Sequence, residues 1–252
     1  MTLEMASNLL ERIVEERGQG VDKRRTEFLI RALWGEFACT TIFFLIVFAA
    51  IANTSELKYE AFEANLVVSL SAAFGAIAVI FCYSDVSGAN FNMAISFSLW
   101  LTGKLSNRKL ILYWVMQLLG ALLALGLLAL VYTPSSEFWN AYAVQAGDEL
   151  SAGENWRVFA KEFIATFVLT YVVFHIAFED AEAEKRSSGS IKAKTAPGGI
   201  TVYTTAPNSK GAFTPFVFGF LLFGLINING AAMVRVSTLP LSVFLYQTYS
   251  LT

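Results

Sequence analysis

Two carboxylates stand where a charge is costly. Glu36 lies near the start of an apolar run over 33–52, and Glu162 near the start of another over 156–178. An ionised side chain inside such a run needs hydrogen-bond donors gathered around it, so each Glu marks a place where N–H groups converge. The surroundings of the two agree. Gly35-Glu36-Phe37-Ala38-Cys39-Thr40 and Lys161-Glu162-Phe163-Ile164-Ala165-Thr166 share Glu, Phe and Thr at one spacing, and Val47-Phe48 recurs as Val173-Phe174. One Glu near a helix end is an ordinary interfacial carboxylate. Two in the same register indicate an internal duplication.

A pair of amide motifs repeats as well. Asn90-Phe91-Asn92-Met93-Ala94 and Asn227-Ile228-Asn229-Gly230-Ala231 both have the form Asn-x-Asn-x-Ala, and each follows an apolar run. An Asn side chain offers hydrogen bonds without charge, which suits brief contact with water or a hydroxyl group. Irregular backbone at membrane depth is tolerated only where protein buries it or it lines a wet cavity. Duplicated broken helices near the midplane are one way to build a permeation site.

Other chemistry finds no support. There is no nucleophile–base pair, paired-carboxylate site or phosphate loop, so no enzyme and no cofactor is expected. His175 is the single His, which disfavours a metal site, and it reads as a buried or interfacial side chain. Cys39 and Cys82 both fall in apolar runs, which speaks against a disulfide framework. A formal net charge of −2, with no basic patch among aromatics, argues against nucleic acid as a partner.

The elements that carry these motifs are membrane helices. Hydrophobic residues make up 56% of the 252 positions and charged residues 15%, more apolar surface than a soluble domain of this length needs. The apolar residues gather in runs at 33–52, 64–83, 110–132 and 156–178, with a shorter fifth at 213–228. About twenty residues at ~1.5 Å each cross ~30 Å of hydrocarbon. The expected organisation is a polar segment over 1–30, a first repeat over 31–132, an outer loop over 133–155 and a second repeat over 156–252. Segment 3–17, with Leu9, Leu10, Ile13 and Val14 among charges, is an amphipathic surface helix or a short solvated one. Segment 179–212, rich in Ser, Gly, Ala and Lys, reads as a solvated loop in which Ser187, Ser188 and Ser190 are candidates for modification.

Loop charge sets the orientation. Arg12, Arg17, Lys23, Arg24, Arg25 and Arg31 precede the first span, Lys104, Arg108 and Lys109 separate the second and third, and Lys185, Arg186, Lys192, Lys194 and Lys210 follow the fourth. The stretch 133–155 has four acids and no Lys or Arg, and 53–63 has only Lys58. Cytoplasmic loops are the basic ones, so the N-terminus is expected in the cytoplasm. Asn53-Thr54-Ser55 is then a glycosylation sequon on the outer side. Trp100, Trp114, Trp139 and Trp156, near span ends or in outer loops, read as interface anchors.

Ser87-Gly88-Ala89-Asn90-Phe91-Asn92-Met93-Ala94 resembles the first signature of the major intrinsic protein family, Ser-Gly-Ala-His-x-Asn-Pro-Ala, and Glu36 and Glu162 match that family's repeated Glu. The resemblance implies an all-α membrane fold: an inverted repeat of five to six spanning helices with two re-entrant half-helices. It also implies a homotetramer and a passive channel for water or small neutral solutes such as glycerol. Asn92 and Asn229 would be the pore donors, followed by Met93 and Ala94, and by Gly230 and Ala231. Glu36 and Glu162 would support the half-helices. Ala72, Val217 and Ala232 would stand at the outer filter. An alternative alignment keeps Arg235 there instead.

The chain departs from the family pattern in its second half. Met93 and Gly230 replace the signature prolines, and the residues after Ala231 are too few for a half-helix plus a full crossing, so 239–252 reads as a truncated last helix. These departures favour a second expectation, a non-conducting or poorly conducting member of the same fold with a regulatory or structural role.

Overall fold

The computed structural model describes residues 3–132, 152–187 and 209–229, with side chains over 26–132, most of 156–175, and 213–227. Among the described residues, six helices run in order: α1 (Leu3–Glu56), α2 (Ala61–Tyr83), α3 (Met93–Leu101), α4 (Asn107–Val131), α5 (Ala152–Ser187) and α6 (Ser209–Asn229). Among the described residues there is no strand. Three segments among the described residues are long and apolar enough to cross a membrane, Thr26–Glu56, Ala61–Tyr83 and Asn107–Val131, and the apolar stretch Phe213–Asn227 of α6 is shorter.

The core is apolar, but the outer surface is apolar too, and several polar groups lie inside. Glu36, Thr40, Ser69, Ser96 and Gln117 are buried, whereas Phe28, Trp34, Phe62, Phe74 and Leu130 are exposed. Polar groups pair inside because hydrocarbon offers them nothing, and large apolar side chains face outward at no cost in lipid. The exposed face of α5 carries an aromatic series, with Phe159 stacked on Phe163 and Tyr171 on Phe167.

Close approach of the helices depends on small residues. α1 packs on α4 and α2, α2 on α6, α6 on α5, and α3 lies against α4. At Gly120 of α4 an added Cβ would sit 2.7 Å from the Phe37 carbonyl oxygen of α1. At Gly219 of α6 it would sit 2.8 Å from the Ala73 carbonyl oxygen of α2. The α2–α6 seam joins the first repeat to the second, so Gly219 sets the distance between the halves.

Three expectations about boundaries change. The polar N-terminal segment is one continuous helix with the first span, because nothing between Leu3 and Glu56 is a Pro or a turn pair. The loop expected over 179–212 begins later: α5 continues to Ser187, since Glu179 to Arg186 are Glu, Ala, Lys, Asp and Arg with no breaker. The next helix starts at Ser209, so the intervening segment, including Ser188 and Ser190, lies outside the described residues. Asn227 and Asn229, read as following the fifth span, lie within α6, which runs to Asn229.

Candidate functional site

Between α2 and α3 the chain turns back on itself. After Tyr83 a short turn leads to Gly88 at φ 95°, Ala89 at φ 46° and Phe91 at φ 34°. Left-handed backbone is free for glycine and costs roughly 1–2 kcal/mol at other residues, so this loop needs external support.

Glu36 supplies much of it. Its Oε1 accepts the Asn90 backbone N–H at 3.0 Å, and its Oε2 accepts the Phe91 N–H at 3.0 Å. A third donor comes from α4, where Gln117 Nε2 lies 2.8 Å from Oε2. The same Nε2 reaches Ser96 Oγ of α3 at 2.9 Å, and Asn90 Nδ2 donates to that oxygen at 3.3 Å. Tyr113 OH donates to the Ser87 carbonyl at 2.6 Å. Gly35 permits the approach of α1, because a Cβ there would lie 2.9 Å from Val86 Cγ1. Thus α1 and α4 clamp the loop, and the buried carboxylate is satisfied by donors rather than by a counter-ion.

The clamp fixes Asn92, which is extended (φ −143°, ψ 127°) and caps α3. Its Oδ1 accepts the Ala94 N–H at 2.8 Å. With the carbonyl committed to the cap, the Asn92 Nδ2 group has no protein acceptor among the described residues. It stands at the positive end of a short helix as a donor without charge. Met93 opens α3 directly, and the Trp114 indole N–H donates to its carbonyl at 3.1 Å. Trp114, read from sequence as an interface anchor, therefore points inward to the half-helix.

The second half differs. Glu162 is buried, yet neither of its carboxylate oxygens has a donor among the described residues. Asn227, the register partner of Asn90, bridges helices instead: its Nδ2 donates to Ser69 Oγ at 2.9 Å and to the Phe223 carbonyl at 2.8 Å, and its Oδ1 accepts from Asn65 Nδ2 at 3.1 Å. Asn229 ends α6, with its side chain outside the described residues, as are Gly230, Ala231, Ala232 and Arg235. Ala72 is fully buried in the core and presents no surface, while Val217 is half-buried. Asn53 is exposed in the last turn of α1. His175 is exposed and stacks on Tyr171, Cys39 is buried with its thiol against the Glu36 carbonyl, and Cys82 is exposed. No three His, Cys, Asp or Glu side chains come together among the described residues.

Sequence reading missed Gln117, Ser96 and Tyr113. Gln117 carried a usable signal, since an amide in the middle of a leucine-rich span is as exceptional as a carboxylate at its start.

Comparison with known proteins agrees with this arrangement. The family model for the major intrinsic protein matches residues 23–203. Aquaporin-B of Dictyostelium discoideum is 34% identical over 208 residues, covering 81% of this chain and 68% of that protein. An aquaporin of Encephalitozoon hellem is 29% identical over 203 residues, covering 80% and 78%. Among solved structures, the aquaglyceroporin from Plasmodium falciparum has the same fold, with a TM-score of 0.59 at 21% identity over 86% of this chain and 83% of that one. A clamped, Asn-capped half-helix among apolar spans and a family match over most of the chain lead to one conclusion: the chain belongs to the major intrinsic protein family.

Proposed function

We propose that the chain is a passive, non-enzymatic channel in the membrane for water or small neutral solutes, glycerol among them. The observation that carries this reading is Asn92: its carbonyl caps α3, and its amide is left as an uncharged donor beside buried apolar walls. A permeant hydroxyl or water accepts from Nδ2, exchanges that bond for the next, and leaves, because few other groups hold it. The positive end of α3 disfavours cations at the same point.

Asn229 would supply the second donor, with Gly230 and Ala231 opening the second half-helix, and either Ala232 or Arg235 at the outer filter beside Val217; Ala72, fully buried, does not line it. Glu162 would accept backbone N–H groups there as Glu36 does in the first half, and its two unpartnered oxygens support that role. The N-terminus lies in the cytoplasm, Asn53 is a glycosylation acceptor outside, and the working assembly is a homotetramer.

The test is stopped-flow light scattering on vesicles carrying the purified protein. Water or glycerol permeability well above that of empty vesicles is expected. Permeability equal to empty vesicles for both solutes, with the protein inserted and folded, would overturn the channel reading in favour of a non-conducting member of the fold.

A further inference from the structure

The turn between α3 and α4 gathers positive charge where lipid-facing surface ends. Lys104 and Arg108 are exposed, and Lys109 is half-buried with its Nζ 5.0 Å from the centroid of the Tyr113 ring. A fourth cation comes from α1. Its Ala32 packs with Leu105, Leu110 and Tyr113 in one buried cluster, and the preceding residue, Arg31, is exposed at that end. Two acids lie close by: Glu27, one turn before Arg31, and Asp85, whose neighbour Val86 meets Gly35 of α1. Positions 86–136 contain no other acid, so positive charge is in excess.

These cations border an apolar face. Leu101 of α3 and Ile111 of α4 are 70% and 60% exposed. Such side chains sit in hydrocarbon without cost, while guanidinium and ammonium groups stay at the level of the headgroups. The backbone beneath the charges is fixed. Gly103 turns at φ 72°, the Lys104 and Leu105 N–H groups both donate to the Leu99 carbonyl, at 2.8 and 3.1 Å, and Leu105 is buried. The Trp100 indole N–H donates to Asn107 Oδ1 at 2.6 Å and ties the end of α3 to the start of α4. A ligand here meets an ordered main chain and costs little ordering entropy beyond that of the side chains.

We infer that Arg31, Lys104, Arg108 and Lys109 form a binding surface for the phosphate of an anionic phospholipid whose acyl chains lie along Leu101 and Ile111. A soluble anion gains only the charges, whereas a lipid gains the apolar border as well. The leaflet is the one that holds the N-terminal end of the first span, which the loop charges make the cytoplasmic one. The phosphate bridges α3 to α4 at the turn that leads out of the half-helix, so the bound lipid stabilises that region. Such a lipid binds whether or not the chain conducts.

The experiment titrates the purified full chain in neutral detergent with phosphatidylglycerol or with phosphatidylcholine of the same acyl chains. Bound lipid is read by native mass spectrometry, and stability by melting temperature. Wild type is expected to bind phosphatidylglycerol at least about tenfold more tightly and to melt higher with it, since each nearby cation is worth roughly fivefold in affinity. The double variant Lys104→Gln, Arg108→Gln should lose most of that preference. Lys58→Gln, which removes an exposed cation from the turn between α1 and α2 at the other end of the span, should keep it. If the double variant does not fold, Arg108→Gln alone reads the same surface through a loss of about fivefold. Equal affinity of wild type for the two lipids overturns the inference, as does an undiminished preference in the variants. Glycerol phosphate that raises the melting temperature as much as phosphatidylglycerol does would make this a soluble-anion site and overturn the lipid assignment.

Discussion

At the residue scale, the first half works through a division of labour within single side chains. Asn92 spends its carbonyl on the Ala94 N–H, and its amide is the donor proposed for the permeant. Asn92→Asp separates these tasks, because a carboxylate caps a helix as well as an amide does but cannot donate and adds charge. Asn92→Asp is therefore expected to fold and reach the membrane normally while water flux falls severalfold at equal abundance; undiminished flux would remove Asn92 from the pore. Glu36 is the opposite case, structural rather than permeant-facing. Glu36→Ala orphans the Asn90 and Phe91 N–H groups, each costing roughly 1–3 kcal/mol when buried, and leaves Gln117 Nε2 with Ser96 Oγ alone. Folded yield and melting temperature in detergent should drop sharply, and Glu36→Gln, which keeps an acceptor oxygen, should lose less. The position of Glu36 was legible in the sequence because a charge in an apolar run demands an explanation. The donors were only half legible, since nothing in local sequence says that residues 36, 90 and 117 converge.

At the element scale, length and composition announced the spans, and their ends proved less readable. The basic cluster around Lys23 looks like a boundary, yet Lys and Arg are good helix formers, and α1 runs through it unbroken. α3 is only nine residues long and has no periodicity to detect; the repeated Asn-x-Asn-x-Ala motif revealed it, with Asn92 as its cap. In the second half, Asn227 of the same motif is helical and ties α6 to Ser69 and Asn65 of α2. That seam yields a prediction. Gly219→Ala places a methyl 2.5 Å from Ile77 Cγ1 and 2.8 Å from a backbone oxygen, so α2 and α6 must part, at a cost of roughly 1–3 kcal/mol. Gly126, with nothing within 4 Å of an added Cβ, is the matched control. Thermal denaturation in detergent should show a loss for Gly219→Ala and none for Gly126→Ala.

At the scale of the whole molecule, loop charges predict one orientation and the family one assembly. In intact cells, an epitope tag before Met1 should resist external protease. If Asn53 is outside, its glycan should shift the protein's mobility, with the shift abolished in Asn53→Gln; a tag digested from outside would reverse the topology. Cross-linking in native membranes should trap four copies. The clamp around Glu36 has a further consequence, for synthesis. Every donor that satisfies this carboxylate lies at or before Gln117, whereas Asn227 and Phe218 emerge from the ribosome roughly a hundred residues later, a delay of about five to twenty seconds. A nascent chain halted after α4 already holds its buried charge without help from the second half. The first repeat can thus leave the translocon and wait in the bilayer, and the polar Ser69–Asn65 edge of α2 is then the surface that stays unfinished until α6 arrives.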